Sequence, residues 1–157
     1  MWALVEKMTL GWFATYIHPA IMERSGRPAL HVRVEGIRAS WKRSTRRMRA
    51  MYTLMFEALQ PIPMLQGHMA DLHRLARQSV RDAVQRGIDD GSVDRSVDPD
   101  AVARLLTGAI RGAAYQAMLD PDDVDIFVAL DDIDQMIDTL VIAPAEEKRP
   151  RDKRRKQ

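Results

Sequence analysis

Leu30, Val34, Ile37 and Trp41 fall at successive spacings of four, three and four residues. That spacing puts all of them on one face of a helix. The same period returns along most of the chain: in Met48, Met51, Tyr52, Met55 and Leu59; in Met69, Leu72, Leu75, Ala76, Val80 and Val84; in Val102, Leu105, Leu106, Ala109, Ile110 and Ala113; and in Phe127, Leu130, Ile133, Ile137 and Leu140. No stretch alternates apolar and polar residues as a half-buried strand does. Stripes of this kind are buried by packing helix on helix, so the expected fold is all-α, a bundle of about six amphipathic helices. It should span residues 1–143, ahead of a disordered basic tail at 144–157.

The punctuation of the pattern marks where helices stop. "HPAIMERSGRP", "QPIP" and "DDGSVDRSVDP" concentrate Gly, Pro, Ser and Asp between periodic segments,. Residues 41–59 continue the stripe of the preceding helix without such a break. Asp98 before Pro99 and Asp120 before Pro121 repeat one device, a capping carboxylate ahead of a proline suited to the first helical turn,. They predict helices from Pro99 to about Leu119 and from about Asp122 to Val141.

Composition narrows the function classes. At 157 residues the chain suits one domain, and ten methionines against 6% aromatics favour helices over a β-sandwich,. The absence of cysteine excludes disulfides and thiolate metal sites,. No apolar run approaches the roughly 20 residues of a membrane span, and the amino end shows no signal-peptide pattern. A soluble, cytoplasmic protein without a membrane role is expected. The basic pI of 9.1 belongs to the end of the chain. Residues 148–157 carry seven of the 24 Lys and Arg and one of the 22 Asp and Glu, so the rest holds 17 basic against 21 acidic residues.

"WKRSTRRMRAMYTLMFEAL", residues 41–59, raises the question of a DNA-reading helix. On a helical wheel Lys42, Arg43, Arg46, Arg47 and Arg49 fall on one side and the bulky apolar residues on the other,. The apolar face runs the full length, which suits a core helix with a solvated cationic side better than a short recognition helix. His68 and His73 are five residues apart, about 140° around a helix, and so are poorly placed to share a metal. No phosphate loop, nucleophile elbow or HExxH segment is present, and the aspartates of "DPDDVD" and "LDDIDQMID" lack the spacing of a calcium loop,. Neither an enzyme nor a cofactor is expected.

"RQSVRDAVQRGIDDGSVDRSVDPDAVARLLTGAIRGAAYQAML" resembles the carboxy-terminal half of the TetR family of bacterial transcriptional regulators. Gly87, Gly91, Asp98, Pro99, Ala103, Leu106, Gly108, Gly112, Gln116 and Leu119 sit where that pattern places them, and "MRAMYTLMFEAL" is similar to the family's aromatic and Leu-Met-Phe segment. The likeness covers roughly residues 28–142. The family's usual "Tyr-x-His-Phe" segment before its linker helix is absent, so the chain is expected to start inside that linker helix, as a fragment or as a stand-alone effector domain. DNA would then be reached only through an amino-terminal module not included here.

The resemblance implies a homodimer that binds a small effector. In the family the last two helices pair with their copies across a two-fold axis. Gly108, Ala109, Gly112 and Ala113 make one side of the Pro99 helix shallow, and Leu105, Gly108, Gly112, Gln116, Ile133 and Ile137 are the interface candidates. Pockets in such domains lie between helices, and flexible methionines suit them. Trp12, Tyr16, Trp41, Met48, Tyr52, Met55, Met69 and His73 are the ligand candidates, and their mixture points to a bulky hydrophobic or aromatic effector. Two other classes remain open: an interaction protein that heterodimerises with a full-length regulator, and a nucleic-acid binder using residues 42–49 and the tail.

Overall fold

The computed structural model describes residues 2–16, 21–60 and 62–144. Among these residues six helices follow in order and no strand occurs: α1 Trp2–Tyr16, α2 Gly26–Arg43, α3 Thr45–Glu57, α4 Pro63–Asp89, α5 Pro99–Leu119 and α6 Ile126–Leu140. The all-α bundle expected from the stripes is what forms. The basic tail lies outside the described residues from residue 145 onward.

α2 sits centrally, against α1, α3, α4 and α6, while α5 packs between α4 and α6. Its stripe explains why. Leu30, Val34, Ile37 and Trp41 are all 2% exposed or less, and they meet Leu72, Val80 and Val84 of α4, Leu106 and Ile110 of α5, and Leu130 and Ile137 of α6 in one continuous core. Each such side chain removed from water contributes about 1.5–3 kcal/mol. Outside the core, Arg27–Asp138, His31–Asp134 and Arg38–Asp131 bridge α2 to α6. Exposed pairs of this kind contribute little energy and mainly fix how the two helices face each other.

Two boundaries differ from the sequence expectation. Asp98 caps α5 as anticipated, accepting from the Asp100 N–H at 2.9 Å. Asp120, however, ends α5 and does not open α6. A single turn closes through the Val124 N–H on the Asp120 carbonyl. The chain then extends through Asp125, whose carboxylate accepts from Phe127 and Val128 and starts α6 at Ile126. Both aspartates offer the same chemistry, and the second is the one positioned where Leu130 and Ile133 reach the core. The continuous stripe of residues 30–59 is also broken, at Ser44, whose backbone leaves the helical region (φ −162°, ψ 88°). Its hydroxyl accepts from the Arg47 N–H at 3.3 Å, restarting the helix as α3,.

Where α4 ends, two helices meet backbone to backbone. Gly26 opens α2 at φ +54°, and its backbone lies against Gly87 in the last turn of α4. Val93 closes the junction, donating its N–H to the Gly87 carbonyl at 2.9 Å. The Arg86 guanidinium donates to the carbonyls of Ile21 and Arg24, satisfying backbone groups at the approach to α2,.

Candidate functional site

Between α1, α2 and α3 lies a cleft of about 590 Å³, within the range of small-molecule sites,. Trp12, Met48 and Met51 supply its apolar wall, and Ser40, Ser44 and Thr15 its neutral polar groups. Lys7, Arg43 and Arg47 line it as well, and no acidic residue does so among the described residues. Trp12 is held by its indole N–H, which donates to the Ser40 hydroxyl at 2.9 Å.

Behind Trp12, a second, internal space of about 10 Å³ has room for a single water,. Phe13, Ile37, Leu72, Ala76 and Ile110 make most of its wall, with Trp12 shared between it and the outer cleft. Three polar residues interrupt the apolar lining: Arg33 from α2 and Thr107 and Arg111 from α5. Arg33 is only 4% exposed. Its Nη1 donates to the Ser79 hydroxyl at 2.9 Å, and that hydroxyl in turn donates to the Ala76 carbonyl. Burial, and next the charge of Arg111, pull the Arg33 guanidinium down to about 9, with Tyr52 acting in the opposite sense. Arg111 lies over the Tyr52 ring at 5.5 Å and donates weakly to its hydroxyl at 3.4 Å. Arg33 Nε, Arg111 Nε and Thr107 Oγ1 are buried without a hydrogen-bond partner among the described residues.

The ligand candidates scatter around this site. Trp12 and Met48 line the cleft. Trp41 and Tyr52 stack on each other with ring centroids 5.8 Å apart, inside the core. Tyr52 reaches the site through Arg111, whereas Trp41 faces neither space. Met55 and Met69 are buried core residues that line neither space. The Tyr16 side chain lies outside the described residues. His73 is half-buried and sits in the field of Arg111.

Arg33, Thr107 and Arg111 are the site residues that periodicity alone passed over. A signal was present. Arg33 falls three residues after Leu30 and four before Ile37, squarely on the apolar stripe of α2, and a cation there must be buried or must distort the helix,.

His73, beside the site and lining neither space, links folding stability to acid. Burial, then the charges of Arg111 and Arg77, lower its pKa from 6.5 to about 4, so the ring is neutral at pH 7. The unfolded chain takes up this proton between those values and the folded chain does not. Stability from this group is therefore complete above about pH 6.5 and lost as pH falls through about 4. Because the ring is partly solvated, the expected loss is about 1 kcal/mol, less than the full shift implies. Thermal unfolding at pH 7 and pH 4.5 checks it: the fall in Tm should be smaller in His73→Gln than in the parent chain, and an equal fall would assign the acid sensitivity to other groups.

The interface candidates divide. On α5, Leu105 is 55% and Leu119 70% exposed, and Tyr115 is 47% exposed between them. Gly108 and Gly112 lie on the same face, and a Cβ built on either meets nothing within 4 Å. Of the shallow side, only the two glycines therefore face open space, whereas Ala113 is buried in the core and Ala109 packs against it. Gln116 is exposed on this face. Ile133 and Ile137 are a correction: they are 6% and 0% exposed, in the core of the chain itself. They are the residues of α6 that face α2 and α5, while its outward side carries Val128, 58% exposed.

Among the described residues no helix is long and apolar enough to cross a membrane. No curated protein and no solved structure matches the chain. Residues 42–142, more than half of the sequence, match the family described as the carboxy-terminal domain of BetI-type transcriptional repressors. The match takes in α3 to α6 whole, with the exposed α5 face and with Thr107 and Arg111 of the inner cavity. The chain therefore belongs to the TetR family of transcriptional regulators, through its carboxy-terminal domain.

Proposed function

We propose that this chain forms the effector-binding and homodimerising part of a TetR-like regulator, and that DNA is contacted only through an amino-terminal module outside it. The observation that carries the proposal is the outward face of α5, where Leu105, Tyr115 and Leu119 flank two glycines with open space above them. Large apolar residues left in water around a shallow helix surface suit close approach by a second helix, and a two-fold axis lets one such face meet its copy. The cleft between α1, α2 and α3 is the proposed effector site, with Trp12, Met48 and Met51 against the apolar part of the ligand.

The cleft reaches α5 through Trp12, whose ring also lines the inner space beside Thr107 and Arg111, while Gly108 and Gly112 lie on the outward side of the same helix. A ligand that moves the inner face of this helix changes how two copies sit against each other, and with them the spacing of two DNA-reading heads. Such coupling is allosteric in the strict sense, two distinct sites biasing one element. Sedimentation equilibrium of the chain tests the dimer. A mass twice 17.9 kDa at micromolar concentration is expected, and a monomer persisting at about 100 µM, the regime of weak encounters, would overturn the proposal,.

A further inference from the structure

Arg33 and Arg111 hold buried guanidinium nitrogens without a carboxylate among the described residues. Arg27, Arg38, Arg74, Arg81 and Arg104 each lie within 4 Å of a carboxylate, whereas Arg43, Arg46, Arg47 and Arg49 are exposed to water. Arg33, the most buried cation described, has only a neutral hydroxyl from Ser79. Arg111 has only the phenol and ring of Tyr52. Both leave Nε buried and unpartnered, as does the Thr107 hydroxyl beside them, and no carboxylate lines the cavity among the described residues. A buried charge without a counter-charge is strongly unfavourable, and two of the same sign in one cavity are more so. Folding alone gives no reason to keep such a pair.

We infer that the effector is an anion, an apolar or aromatic carboxylate whose charged end is met by Arg33 and Arg111. This rests on the effector reading above and names the class of ligand. The guanidinium fork suits a carboxylate, and the free Nε atoms and the Thr107 hydroxyl are donors already in place for it,. The outer cleft carries the same sign through Lys7, Arg43 and Arg47, on a chain that is net acidic apart from its tail. An anion is thus attracted at the mouth and held at the end. Trp12 stands between the two spaces. The inner one holds no more than a water as it stands, so the carboxylate enters by turning the Trp12 ring aside, while the apolar body of the ligand remains against Met48 and Met51,.

The test measures Kd by titration calorimetry for phenylacetate, 4-phenylbutyrate and octanoate, each beside the alcohol of the same skeleton. At least one acid is expected to bind ten-fold or more tightly than its alcohol, and Arg33→Met is expected to abolish that preference. Because this change replaces an unpaired buried charge by an apolar side chain of similar length, it should also leave Tm unchanged or raised, which a purely structural arginine would not. Should Arg33→Met fail to fold, Arg111→Gln carries the same readout at a less buried position: loss of the acid preference supports the inference and retention overturns it. Acids and alcohols binding alike would overturn the anionic effector and leave the effector domain standing. No binding in either series would count against both.

Discussion

Gly87→Ala is expected to lower the melting temperature by about 10 °C, from a loss of about 3 kcal/mol. The reason is a crossing with no room for a methyl group. A Cβ at Gly87 would lie 2.6 Å from Val93 Cγ2, 2.7 Å from Gly26 Cα and 2.9 Å from Gly26 N. The valine methyl has some freedom to turn away, but the Gly26 backbone does not, because it starts α2 at a positive φ that a side chain would itself resist,. Either α4 and α2 separate, opening the core that Ile21, Leu30 and Val84 share, or the Gly26 turn is rebuilt. Gly67→Ala is the matched control. Gly67 lies inside the same helix with nothing within 4 Å, so alanine there should stabilise by up to about 1 kcal/mol through helix propensity alone,. Thermal unfolding of the two variants decides it; equal and small shifts would mean that the helices do not cross this closely in solution.

Gly112→Leu is expected to weaken self-association by about 100-fold, equivalent to about 2.8 kcal/mol, while leaving the monomer folded. Inside the chain a Cβ at Gly112 meets nothing within 4 Å, and leucine is the better helix former,. Across a two-fold axis the same leucine meets its own copy and holds the two helices apart where the glycines would have let them close. The dimer dissociation constant from sedimentation and the melting temperature at a concentration where the chain is monomeric separate the two effects. A lower affinity with an unchanged or higher monomer Tm supports the interface. An unchanged dimer mass would move it to another exposed apolar position, such as Val128 or Ile142, both about half exposed or more.

The stripes located the helices well but not their partners. Leu105 and Leu106 both belong to the apolar stripe of α5, yet Leu106 is fully buried and Leu105 is 55% exposed. A helical wheel sorts apolar from polar residues; it does not say whether an apolar residue faces the chain's own core or a second copy. Ile133 and Ile137 show the same limit in reverse, since residues chosen as interface are the ones that complete the core. The ligand candidates meet a related limit. Bulk and adaptability do not separate Met55 and Met69, which lie in the interior, from Trp12 and Met48, which line the cleft, and they carry no signal for the polar residues of the inner cavity.

Helix type, approximate helix ends and family membership are local or serial properties, written in spacing, capping residues and the order of loops, and a linear reading recovers them. The Ser44 break and the choice of Asp125 over Asp120 already depend on which start lets the following stripe reach the core. The cavity depends on more. Arg33 and Arg111 are 78 positions apart. Each alone reads as an ordinary arginine on a helix, and nothing in the spacing of α2 or α5 says that the two converge. They meet because α4 packs against both helices and brings their inner faces to one point, where neither finds a carboxylate among the described residues. Charge that is harmless on isolated helices becomes, in that shared low-dielectric space, costly to leave unpaired, and the proposed anionic effector rests on that convergence.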